Sequence, residues 1–174
     1  MNTLFVIAFL LCLAGYVYHT VLHVFQHRGH QFAKSKPAHA VLEIMILVGY
    51  LAWGFMIFSD PVKINISSYV TLPLGLLVGL AGLAVIIASA KTKKGFREID
   101  HLVTIGIYSK FRNPMYVGTI LMHIGLPLAA RSLLTLISAV IWVPLILIWK
   151  YMEEKDLEKK FGQAYAEYKK RTLF

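Results

Sequence analysis

One cysteine, Cys12, stands in a chain of 174 residues. That excludes an intramolecular disulfide and a cysteine-rich metal site. Charge is scarce as well: Asp, Glu, Lys and Arg make up 16% of the chain, where a soluble domain carries about a quarter. Acidic residues are the scarcer sign, nine against eighteen basic ones, for a formal net charge of +9. No G-x-G-x-x-G string occurs, which removes the sequence mark of a Rossmann-type dinucleotide or methyltransferase domain. No repeat or low-complexity tract is visible. The first apolar run has no basic start and no small-x-small cleavage site after it, so it reads as a membrane helix and not as a signal peptide.

What fills the chain instead is apolar, at 57% of residues and a mean hydropathy of +0.63. A membrane helix needs roughly 20 mostly apolar residues. Runs of that length cover about 3–25, 40–58 and 69–90, and the region from Met115 to Lys150 is long enough for two more passes, 115–130 and 132–151, divided at Ala130-Arg131-Ser132. The expected architecture is all-α: one integral membrane domain over 1–174, with five transmembrane helices and a C-terminal cytosolic amphipathic helix. Every Lys and Arg except Lys63 and Arg131 falls in the loop 26–39, the loop 91–114 or the segment from Lys150 onward. The positive-inside rule puts those segments in the cytoplasm and the N-terminus outside. This distribution assigns the basic charge to topology and anionic membrane lipids, not to nucleic acid.

Several polar residues sit in or beside the apolar runs. His19, His23 and His27 share one helix face by their spacing of four, a pattern that suits interfacial hydrogen bonding to head groups or, less often, a metal or haem. His39 and Glu43 form a local polar pair at the same spacing. His123 lies inside the fourth run and is expected to face the protein interior. Pro127 and Pro144 should bend their helices, and Gly118 and Gly125 leave room beside them for a lipophilic molecule or for close helix packing. From Glu153 on, Leu157, Phe161, Ala164, Tyr165 and Tyr168 make an apolar stripe on a charged helix that Gly162 should weaken or bend. Such a helix either lies on the membrane or folds over the loop 91–114 as a lid.

The stretch "SKFRNPMYVG" opens the fourth run. Asn113 is a good N-cap and Pro114 a good first helical residue, so this is a strong helix start whose free N–H groups favour an anion, with Arg112 adding full charge. The fifth helix returns to the same side near Lys150 and brings Glu153 and Glu154 beside the corner. Carboxylates next to an anion-binding helix end suit a ligand of mixed charge, such as an amino acid moiety.

"HLVTIGIYSKFRNPMYVG" followed by "EEKDLEKKFGQAYAEYKKR" resembles the C-terminal half of the isoprenylcysteine carboxyl methyltransferase family and related phospholipid methyltransferases, over about residues 100–171. The resemblance implies a cytosol-facing S-adenosylmethionine site, with cofactor contacts at Asp100, His101, Leu102, Val103, Tyr108, Asn113, Pro114, Met115, Tyr116 and Glu153. Arg112 and Glu154 are the candidates for a direct part in transfer, and no metal is implied. The family usually has His where Asn113 stands. The prenylcysteine enzymes place at Trp149 an Arg that meets the substrate carboxylate, so another lipophilic acceptor is expected here. Sterol reductases share part of the corner pattern, which leaves an NADPH-dependent membrane reductase as the alternative. A haem or metal protein and a non-catalytic membrane adaptor are more distant ones.

Overall fold

The first two long helices each begin at a polar side chain that caps the helix end. The computed structural model describes residues 2–93 and 101–174. Asn2 caps α1 (Thr3–His27), its side chain accepting from the Leu4 N–H at 3.1 Å. Ser35 caps α2 (Lys36–Ser59), where Pro37 fits the first turn. The helices α3 (Ser68–Lys93), α4 (Pro114–Ala129), α5 (Leu133–Ile137), α6 (Ala139–Phe161) and α7 (Gln163–Arg171) follow. Short 3₁₀ turns occupy Gln31–Lys34 and Gly106–Ser109. Among the described residues there are no strands, only two isolated bridges.

The chain is all-helical, and four stretches are long and apolar enough to cross a membrane: Thr3–His27, Lys36–Ser59, Ser68–Lys93 and Leu133–Phe161. The fourth expected pass is shorter. At 16 residues α4 spans about 24 Å, less than the roughly 30 Å of a hydrocarbon core. The fifth departs from expectation at both ends. It breaks at Ser138, between α5 and α6, and then runs ten residues past its expected end to Phe161. Nothing between Lys150 and Phe161 breaks a helix, so α6 continues through the charged segment and turns only at Gly162, whose φ of +51° suits glycine.

Packing divides the chain into two hairpins. α1 and α2 approach through Gly15 and Gly49. α3 and α4 approach more closely, through Gly75, Gly79 and Gly82 against Gly125 and Gly118. The room expected beside Gly118 and Gly125 is therefore filled by α3: a Cβ on Gly118 would come within 2.6 Å of the Gly82 carbonyl, and one on Gly125 would meet the backbone of Gly79. Small residues let backbones touch where lipid gives no hydrophobic drive. Gly125→Ala should accordingly lower stability by about 1–3 kcal/mol through overpacking. Thermal unfolding in detergent checks this, and an unchanged midpoint would show that the two helices are not in backbone contact.

α6 closes the bundle over both hairpins. Its Trp142 and Ile146 are fully buried with Cys12, Met56 and Trp53 in the main core. Tyr16 of α1 packs on Trp142 in a tilted arrangement, ring centroids 4.8 Å apart, and reaches His123 of α4, oxygen to Nε2, at 2.8 Å. His123 Nδ1 lies 2.8 Å from the Thr119 carbonyl, which can only accept, so Nδ1 carries the proton and Nε2 accepts from Tyr16. This is the interior placement expected for His123, and it joins the two hairpins.

At one end of the bundle Asp60, 4% exposed, serves as a cap for α5 from a distant loop. Its carboxylate accepts from the Thr135 N–H at 2.8 Å, the Thr135 hydroxyl at 3.0 Å and the Val62 N–H at 2.9 Å. Ser132 Oγ donates to the Ile57 carbonyl at 2.6 Å, and Arg131 donates from Nε and Nη2 to the Ile64 carbonyl. Lys93, Asn113 and Glu153 lie at the other end.

Candidate functional site

The last turns of α6 meet the first turn of α4, as the Arg-Asn-Pro corner and the Glu-Glu pair led one to expect. Adjacent helical residues point about 100° apart, so the two carboxylates serve different neighbours. Glu154 takes the corner. Its Oε1 accepts from Asn113 Nδ2 at 2.7 Å and from Arg112 Nε at 3.2 Å, with Lys150 Nζ at 3.4 Å, while Lys169 Nζ stands 3.6 Å from Oε2. Glu153 turns toward α4 and α3, accepting from the Tyr116 hydroxyl at 2.8 Å with Lys93 Nζ at 3.8 Å.

Asn113 stands at the cap position of α4, and its carbonyl accepts from the Tyr116 and Val117 N–H groups, but its side chain does not cap. The amide donates instead to Glu154 and to the Phe174 carbonyl at 3.1 Å. A hydrogen bond to a buried carboxylate is worth about 1.5–3 kcal/mol, more than the roughly 1 kcal/mol of a neutral cap, so the expected cap gives way.

The segment after α7 lies across this corner. Phe111 and Leu173 form a parallel bridge, with the Arg112 N–H donating to Leu173 O at 2.9 Å and the Leu173 N–H to Lys110 O at 2.8 Å. Arg112 Nη1 adds a 2.6 Å bond to the Thr172 carbonyl, and Lys150 Nζ sits 4.4 Å from the centre of the Phe174 ring. Between the helix ends, α7 packs on the preceding loop. The Tyr168 hydroxyl donates to the Tyr108 carbonyl at 2.6 Å, and burial pushes its pKa up to about 12, so it keeps the proton it donates. Tyr108 is buried in turn and bonds Ser89 of α3 through its hydroxyl. The Tyr165 side chain is fully buried within electrostatic reach of Glu154, Arg112 and Glu153, and its hydroxyl has no hydrogen-bond partner among the described residues.

Of the residues singled out from the sequence, Arg112, Asn113, Tyr116, Glu153 and Glu154 are thus brought together, with Pro114 buried and Met115 half-buried in the same helix turn. Tyr108 joins them through Tyr168. His101 is exposed and Leu102 and Val103 half-buried, and no hydrogen bond links these three to the corner among the described residues. Asp100 lies outside the described residues. Sequence reasoning placed Lys150 beside Trp149 as a candidate to replace the family's Arg but did not pair it with Glu154, and it missed Lys93, Lys169 and the 172–174 segment as parts of the corner. The four-residue step from Lys150 to Glu154 was a readable sign of the first ion pair. Lys93 and the 172–174 segment had no local sign, because their contacts depend on the tertiary arrangement.

No curated protein and no solved structure matches the chain. A family model does: phospholipid methyltransferase, over residues 72–164, which takes in most of α3, all of α4, α5 and α6, and the corner except its 165–174 side. Since that match covers more than half of the 174 residues, the chain belongs to the phospholipid methyltransferase family.

Proposed function

We propose that the protein is an integral membrane methyltransferase that uses S-adenosylmethionine to methylate a lipophilic acceptor, with its donor site at the α4–α6 corner facing the cytoplasm. The observation that carries this reading is the meeting of Tyr116 with Glu153 and of Arg112 and Asn113 with Glu154, which joins two motifs some forty residues apart. We read α4 as a fifth crossing, because it packs along α3 through the glycine seam. The basic loops and the strongly charged α7 support the cytoplasmic orientation.

The residues present fit the donor. Glu153 suits its ammonium, Lys93 and Arg112 its carboxylate, and the Tyr165 hydroxyl, which has no hydrogen-bond partner among the described residues, offers one more polar contact in a buried place. Asp100, His101, Leu102, Val103, Tyr108, Asn113, Pro114 and Met115 complete the proposed cofactor contacts. S-adenosylmethionine, when bound, supplies a methyl group already activated on sulfonium. The chain has only to hold donor and acceptor in line and to keep water out. α7, with Tyr165 and Tyr168, covers the corner from the aqueous side, and the acceptor enters from the bilayer.

Glu153→Gln keeps the size and hydrogen bond of the side chain and removes its charge. A charge-assisted hydrogen bond is worth about 1.5–3 kcal/mol, so the affinity for S-adenosylhomocysteine should fall about tenfold or more. Calorimetry of wild type and variant with S-adenosylhomocysteine, and with NADPH in parallel, is the test. Binding of NADPH in place of S-adenosylhomocysteine would overturn the proposal, and equal affinity in a folded variant would remove Glu153 from the site.

A further inference from the structure

The histidines of α1 remain unused by the corner. His19, His23 and His27 follow one helix face. His19 stacks on Trp149 with ring centroids 4.0 Å apart, and His23 comes next at 4.6 Å from His19. His27 Nδ1 then pairs with Asp156 Oδ1 at 2.8 Å, at a half-exposed position. The row thus leads from Trp149, which is buried and packed on Tyr16, out to a carboxylate at the surface of the helix end. The titratable and charged groups that face His23 come from all sides. They are His19 on α1, with His27 one turn further along the same face, His39 in the first turn of α2, and Glu153 and Asp156 on α6, with Tyr116 of α4 and Lys93 of α3 bound to Glu153. His23 is therefore the histidine beside the proposed donor site.

The chemistry of transfer calls for such a row, on the methyltransferase reading given above. When an N–H or S–H acceptor attacks, a nitrogen–carbon or sulfur–carbon bond forms and the methyl–sulfonium bond breaks. Its electrons stay on sulfur, and one proton is released per methyl group. A carboxylate acceptor releases none. In a site that excludes water the proton needs a protein group to receive it. The local architecture also disfavours a carboxylate acceptor: Trp149 is stacked on His19, and the neighbouring Lys150 is engaged by Glu154 and the Phe174 ring.

We propose that His23 is the group that receives the proton an N–H or S–H acceptor releases during transfer, and that it passes this proton through His27 and Asp156 to water. His19, held on Trp149, positions the row.

The test is labelled-methyl transfer in detergent or liposomes to three probes: phosphatidylethanolamine, a farnesyl thiol and N-acetylfarnesylcysteine, which offers a carboxylate. Wild type should methylate the amine or the thiol. His23→Gln should lower kcat about a hundredfold or more with KM for the donor within twofold, and the deficit should shrink as pH rises and the acceptor loses its proton unaided. His23→Ala should regain rate when imidazole is added, which a packing role does not allow. His27→Gln, at the half-exposed end, should slow turnover severalfold and guards against a misfolded His23 variant. Apart from turnover, magnetic resonance of histidine-labelled protein should find the His23 ring neutral at pH 7 and protonated on acidification. A ring already cationic at pH 7, transfer to the carboxylate probe alone or to no probe, or a His23→Gln variant of wild-type rate overturns the proposal. S-adenosylhomocysteine binding separates this failure from failure of the methyltransferase reading: it survives in the first case and is absent from wild type in the second.

Discussion

Glu154→Leu should destabilise the protein by about 3–5 kcal/mol, the usual result of removing one partner from a buried ion pair. The carboxylate is enclosed, at 8% residue exposure, and it answers Arg112, Lys150, Lys169 and the Asn113 amide together. Leucine leaves the guanidinium of Arg112 beside an apolar side chain, while Lys150 and Lys169 are long enough to swing toward water. Thermal or denaturant unfolding in detergent measures the loss. The double variant Arg112→Met with Glu154→Leu should recover a large part of it, because a well-packed apolar pair often replaces a buried ion pair without loss. A single variant as stable as wild type would mean that water reaches Glu154 freely. If the double variant adds a second full penalty, the two residues do not act on each other.

Asn113→Asp should be far more damaging than its similarity suggests. A good cap residue would replace another at a helix start, and that is what the local sequence leads one to expect. The side chain, however, donates to Glu154 Oε1 at 2.7 Å. Aspartate removes that donor, which alone costs about 1.5–3 kcal/mol, and sets two carboxylates at contact distance. One of them must then hold a proton, so its folded-state pKa rises above its unfolded value. A raised folded pKa means stability that is present at low pH and lost as pH rises through it. The deficit of Asn113→Asp against wild type should therefore be smallest at about pH 4 and grow as pH rises from there through the raised folded pKa. Asn113→Ala should be destabilising by an amount that varies little over that range. Unfolding midpoints of the three proteins across pH decide the matter, and a pH-independent deficit for Asp would show that the two side chains do not meet.

The contrast between these substitutions marks what could be read from sequence. Helices were legible because apolar runs of membrane length leave little choice, and the ends of the first four lie within a few residues of expectation, as helix ends commonly do. The break at Ser138 and the continuation of α6 to Phe161 were not legible from hydropathy. A charged stretch ends a membrane run without ending a helix. Within the corner, spacing was enough to bring Glu153 and Glu154 near Arg112 and Asn113, but not to say which carboxylate met which partner. That depends on the rotation of α6 about its axis, fixed by the burial of Trp142, Ile146 and Trp149. The Asn113 side chain chose Glu154 over its own helix for the same reason: the decisive partner is distant in the chain. Asp60 is the clearest case. In sequence it is a loop residue, and its work as a cap for α5 appears only when the hairpins close.

The two ends of the bundle are fastened by different means, and this has a mechanical consequence. Around Asp60, Arg131 and Ser132 the bonds run largely to backbone, between segments more than sixty residues apart. Around Glu153 and Glu154 most of the fastening is side chain to side chain, and such bonds can exchange partners without unwinding a helix. On the function proposed above, the first end would act as the fulcrum and the second as the jaws. Helices that part to admit a lipophilic acceptor would swing apart at the jaws, and the same movement would loosen the grip on the charged groups of the proposed donor. Loading and release would then be geared to one another by the shape of the bundle.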